Sequence, residues 1–142
     1  MNIDLTLKQA LSHHVQGHDA EHLYRIILTE DPKHPDANHG LGTLLKQDNQ
    51  LELALGFFKT ALVANPNMEQ FWVSYIDTLI HLGKPDAARS VLEQGQSKGL
   101  KGDAIDQLAA RISLATQTML RRINTSVLLS VNWMRRLSVM SR

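Results

Sequence analysis

The chain has 142 residues, 43% of them apolar and 20% charged, which suits one domain with a buried core and excludes disorder over its whole length. Its 15 Lys and Arg against 14 Asp and Glu leave it near neutrality, and the absence of cysteine removes disulfide scaffolds, thiolate zinc sites and cysteine nucleophiles. No apolar run approaches the ~20 residues of a membrane span, and Met1 to Gln9 carries Asp4 and no apolar stretch, so a soluble, cytoplasmic protein is the expectation.

Pro32, Pro66 and Leu100 stand 34 residues apart, each just beyond a helical apolar pattern, and divide the chain into units of about 1–34, 35–68 and 69–102. In the first unit Ala20, Tyr24 and Leu28 precede Pro32, Thr6 with Gln9 resembles a capping box, and Gly17 lies two residues closer to Ala20 than the period requires, which predicts a shortened turn. In the second, Leu41, Leu44 and Leu45, then Leu51, Ala54, Leu55, Phe58, Ala61 and Leu62, recur at intervals of three and four around the polar run 46–50. That is the period of two helices, with Asp36 a candidate cap for the first. In the third, Trp72, Tyr75 and Leu79 are followed by Gly83 and Pro85, a stop and a start, and then by Ala88, Leu92 and Gly95. Pro32 and Pro66 end helices because proline has no amide donor. Ile105, Leu108, Ala109 and Ile112 place one apolar face on a capping helix over 103–112, with Asp103 and Asp106 favouring its N-terminal dipole.

Charge divides the chain at Ser113. Residues 1–112 carry 10 basic and 14 acidic groups, net −4, whereas the last thirty residues carry five arginines and no carboxylate, net +5. If 116–140 is one helix, Leu120, Ile123, Val127, Val131, Met134 and Leu137 form a stripe with Arg121, Arg122, Arg135 and Arg136 opposite. Leu128, Leu129, Trp133 and Met140 fall off that stripe, so the 113–142 tail is expected to be covered by the repeats, a second copy, a partner or an anionic membrane surface. Four arginines with only Trp133 among them make a weak phosphate footprint, which disfavours nucleic acid.

The residues Leu41-Gly42, Leu45, Ala54, Phe58 and Pro66, with Trp72, Tyr75, Ala88 and Leu92 in the next unit, resemble the tetratricopeptide repeat family over about three quarters of the chain. The stretches from His34 to His39 and from Phe71 to Asp77 resemble repeats at the front of larger bacterial proteins bearing transferase domains, but too few residues follow Ile112 for a catalytic domain. The resemblance implies an all-α, right-handed superhelix of three helix-turn-helix repeats plus a capping helix and the C-terminal amphipathic helix. Its first helices would line a concave groove for a peptide or protein segment. It also implies the groove residues Asp36, His39, Thr43, Lys46 and Gln47 in the second unit and Gln70, Val73, Asp77, Ile80 and His81 in the third. Gly40 and Thr43 stand where some members place the asparagines of a terminal-carboxylate clamp, which argues against that ligand.

A noncatalytic interaction adaptor is therefore expected. The alternatives are an accessory substrate-binding module of a glycosyltransferase-like enzyme and peripheral membrane attachment through Arg121, Arg122, Trp133, Arg135 and Arg136. Ser74 and Ser90 lack a glycine-framed elbow, and Gly95, Gly99 and Gly102 lie at a helix exit, so no catalytic constellation and no cofactor are expected. His14, His18 and His22 would align on an unbroken helix as metal ligands, but Gly17 and Asp19 interrupt it, and no metal site is expected. His39 and His81 are candidates for a pH response of the groove.

Overall fold

The computed structural model describes residues 1–16 and 19–140, so Gly17 of the shortened turn, His18 and Arg142 lie outside the described residues. The described chain is all helical: α1 (Ile3–Val15), α2 (Glu21–Glu30), α3 (Pro35–Gln47), α4 (Leu51–Ala64), α5 (Glu69–His81), α6 (Pro85–Ser97) and α7 (Asp103–Met140). The helices pair and stack in order as a solenoid, each packing on its chain neighbours.

The 34-residue period is visible in the backbone. α3, α5 and α7 begin at 35, 69 and 103, and α4 and α6 at 51 and 85. The first two units close with the same device: Asn38 Nδ2 donates to the Pro32 carbonyl at 3.1 Å, and 34 residues on Trp72 Nε1 donates to the Pro66 carbonyl at 2.8 Å. Both bonds tie the loop before a unit to its first helix and give a proline carbonyl a donor.

The caps differ from the sequence reading. Asn2 opens α1, its side chain accepting from the Leu5 amide at 3.2 Å, while Thr6 lies inside the helix and donates to the Asn2 carbonyl. His34 caps α3, its Nδ1 accepting from the Ala37 amide at 3.3 Å, because Pro35 takes the first helical position and so carries Asp36 into the first turn, where its charge favours the dipole.

Two clusters make the core. Tyr24, Ile27, Leu41, Leu45 and Phe58 fill the first, Trp72, Ile76, Leu79, Leu92, Ile105, Leu108 and Ile112 the second, and Tyr75 packs against both, so the core is continuous. Gly40 is required by closeness: a Cβ there would sit 2.6 Å from Tyr24 Cε1 and 2.8 Å from its hydroxyl, and Tyr24 is fully buried.

The capping helix and the amphipathic tail are one helix. Within each of the two preceding units the chain turns on a residue with positive φ, Asn49 at 60° and Gly83 at 70°, which asparagine and glycine tolerate. One period later the sequence has Gln117, and Met119 where Pro85 opened α6, so nothing breaks the helix and α7 continues. The charge boundary at Ser113 is therefore a boundary in burial: Ile112 is the last buried residue among those described, and 117–140 are exposed throughout. At 38 residues α7 is about 57 Å long, and its distal half is not covered by the repeats. Among the described residues no helix is long and apolar enough to cross a membrane.

Candidate functional site

The first helices of the units, α3 and α5, carry all ten expected groove residues, and the start of α7 joins them. Their centre is Asp77, whose side chain is 14% exposed and contacts three cationic or protonatable groups. Lys46 from α3 pairs with Oδ2, Arg111 from α7 with Oδ1, and His81 Nδ1 stands 3.4 Å from Oδ2. His81 Nδ1 also meets the Asp77 carbonyl at 2.8 Å, and since a carbonyl only accepts, Nδ1 carries the proton. Burial alone would raise the Asp77 carboxyl, but the hydrogen bonds and charges of Lys46 and Arg111 outweigh it and hold it below the usual value. One carboxylate thus ties together three helices, α3, α5 and α7.

A turn nearer the helix starts, His39 Nε2 lies 2.8 Å from Ser74 Oγ, linking α3 to α5, and Gln70 Nε2 approaches the same oxygen at 3.5 Å. The imidazole packs against Phe71 at 4.9 Å and Phe58 at 5.5 Å between ring centroids. Burial therefore pushes the His39 pKa down, and His14 adds to this, while the Asp36 charge pulls the other way. His39 is a half-buried link between the second and third repeats. Thr43 Oγ1 donates to the His39 carbonyl at 2.9 Å, along its own helix.

The remaining expected groove residues divide by exposure. Asp36, Gln47, Gln70 and His81 are exposed, and Val73 and Ile80 are half-buried. Ile80 borders a recess of about 370 Å³ shared with Pro85, Leu114 and Met119. Arg121, Arg122, Trp133, Arg135 and Arg136 are exposed and lie along α7 beyond the groove. His14 is directed to the Tyr24 hydroxyl at 3.2 Å, and among the described residues no group of three His, Cys, Asp or Glu side chains is placed to hold a metal.

Sequence reasoning missed Arg111 and Ser74. The signal was there for Arg111: Thr43, Asp77 and Arg111 are each one period apart, so extending the repeat through the cap would have placed it on the groove.

A protonated His39 would sit in a poorly solvated cleft between two phenylalanine rings. Its lowered pKa means the unfolded chain takes up a proton first as pH falls, so the contribution of neutral His39 is complete above the ordinary value of 6.5 and is lost as pH drops below it toward the folded-state value. The melting temperature of His39→Gln, which keeps a group able to hydrogen bond Ser74 but does not titrate, is therefore expected to fall less than that of wild type between pH 7 and pH 5. Parallel curves would show that His39 is not the responsible group.

Residues 45–112 match the family model described as tetratricopeptide repeat. No curated protein matches the chain. Among solved structures, a mutant of MamA is 19% identical with a TM-score of 0.69, over 87% of this chain and 72% of that one. The Yersinia enterocolitica type III secretion chaperone SycD, in complex with a peptide of the translocator YopD, is 18% identical with a TM-score of 0.65, over 84% of this chain and 92% of its own. A mutant Thermobaculum terrenum O-GlcNAc transferase is 20% identical with a TM-score of 0.64; the match covers 79% of this chain but only 23% of the transferase. At these identities the likeness is one of fold. Residues 45–112 thus match the tetratricopeptide repeat model, and the chain folds as a solenoid of that kind.

Proposed function

We propose that this protein is a noncatalytic, cytoplasmic adaptor whose concave face, built by α3, α5 and the first turns of α7, binds an extended or helical segment of another protein. The observation that carries this reading is the Lys46–Asp77–Arg111 cluster. It joins three successive inner helices through one half-buried carboxylate and so presets their spacing before any partner arrives. A groove whose walls are already ordered loses little conformational freedom on binding. Around that floor the exposed Asp36, Gln47, Gln70 and His81 offer donors and acceptors, and Val73 and Ile80 offer apolar contact. The peptide held by SycD, a protein of the same fold, supports the kind of ligand.

The likeness to part of a transferase supports a second use of the same face, as an accessory module that holds a substrate for a separate catalytic chain. Both uses require the groove to bind a polypeptide, so the first test addresses that. Lys46, Asp77 and His39 are unsuitable targets because they hold helices together. Gln47→Ala, Gln70→Ala and His81→Ala combined remove exposed groups with little cost to folding. Selection of displayed random peptides on the wild-type chain is expected to enrich a shared segment whose affinity falls about tenfold or more on the triple variant. Failure to enrich any segment, or undiminished binding by the variant, would refute groove recognition.

A further inference from the structure

Independently of the groove, we infer that the distal half of α7 pairs with the same segment of a second copy of this chain, antiparallel, to make a two-stranded coiled coil. The helix leaves the repeats bare: Leu120, Ile123, Val127, Met134 and Leu137 are 45–66% exposed, and no repeat packs on them. These five, with Ser130, are spaced by alternating steps of three and four residues from 120 to 137, the spacing of a coiled-coil seam.

The order of side chains along the seam selects the antiparallel arrangement. With Leu120 of one copy level with Leu137 of the second, Ile123 falls opposite Met134 and Val127 opposite Ser130, so a branched side chain meets a small one at the centre and larger pairs close both ends. On the flank of the same register Trp133, 64% exposed, falls across from the small Ser126 of the second copy. A parallel pair would instead set Ser130 against Ser130 and place two net-negative repeat regions side by side. The antiparallel pair carries the C-terminal arginines of each tail toward the net-negative repeats of the other copy. All four arginines between 121 and 136 occupy positions away from the seam, so pairing buries none of them. Residues 117–140, the stretch this register pairs, run about 36 Å, and two helices in contact over that length bury on the order of 1,000–1,400 Å², near the lower end of a specific interface.

The test is sedimentation equilibrium of the full chain with three variants whose helicity is checked by circular dichroism. Wild type is expected to dimerise. Ile123→Asp, which puts a charge in the seam, is expected to weaken the dimer about 100-fold, and Leu128→Asp, on the outer face of the same helix, to change it less than about threefold. Since the chain has no cysteine, a mixture of Val127→Cys and Ser130→Cys chains is expected to cross-link on oxidation, whereas Leu120→Cys alone is not. Any of four results overturns the inference: a monomer at about 100 μM, equal weakening by both aspartates, a Leu120→Cys homodimer, or a chain that remains monomeric and binds phosphatidylserine vesicles through the stripe.

Discussion

Trp72→Ala is expected to lower the unfolding free energy by about 3–5 kcal/mol, the largest effect of any single truncation considered for this fold. The indole is 5% exposed, lies in the second core cluster with Phe71, Ile76 and Leu92, and is aligned by its hydrogen bond to the Pro66 carbonyl. The neighbouring helix is shaped to admit it, since a Cβ on Gly95 of α6 would stand 3.1 Å from the ring. Alanine leaves a cavity that these fixed helices cannot close, because closing it would mean sliding α6 along α5 against the rest of the stack. Trp72→Phe keeps most of the ring volume and loses the hydrogen bond, so a smaller cost of about 1.5–3 kcal/mol is expected. Urea unfolding followed by circular dichroism measures both. Because Trp133 is the only other tryptophan and is exposed, Trp133→Phe leaves an emission that reports on Trp72 alone and should be blue-shifted. A loss below about 1 kcal/mol for Trp72→Ala would place the indole outside the core.

The repeat helices were legible because periodicity, turn residues and core pattern coincide there: apolar residues at three and four, Gly83 then Pro85, and prolines one period apart all say the same thing. The misreadings fall where one signal had two meanings. Asp36 is a good capping residue, yet Pro35 before it fixes the first helical position and leaves the cap to His34. The change of charge at Ser113 looked like a structural border, but charge does not end a helix; a glycine, an asparagine in left-handed conformation or a proline does, and 103–140 holds no glycine or proline. The groove was legible as a row of positions, since period and helix face fix it, but not as a network. That Lys46 and Arg111 converge on Asp77 depends on the distance between helices, which no pattern along one helix reports.

That network sets the second large expectation. Asp77→Ala removes the one anion between Lys46 and Arg111 and leaves two half-exposed cations turned toward each other, so a loss of about 1.5–2 kcal/mol is expected at neutral pH, below the value for a fully buried charge because both partners can still reach water. If the cost arises from the cations left behind, Arg111→Met in the same chain should restore part of it, and the double variant should be more stable than the sum of the single effects by about 0.5–1 kcal/mol. The pH dependence provides a separate check. The Asp77 pKa is lowered on folding, so its ionised form contributes stability above the ordinary carboxyl value of 3.8, and that contribution is lost as pH falls through the folded-state value. The gap between wild type and Asp77→Ala in urea midpoint should therefore persist from pH 7 down to about pH 4 and narrow below it. A gap independent of pH would mean that Asp77 acts through packing alone, and an additive double variant would mean that Lys46 and Arg111 do not share it. In either case the inner helices would lose the electrostatic tie on which a preset groove depends.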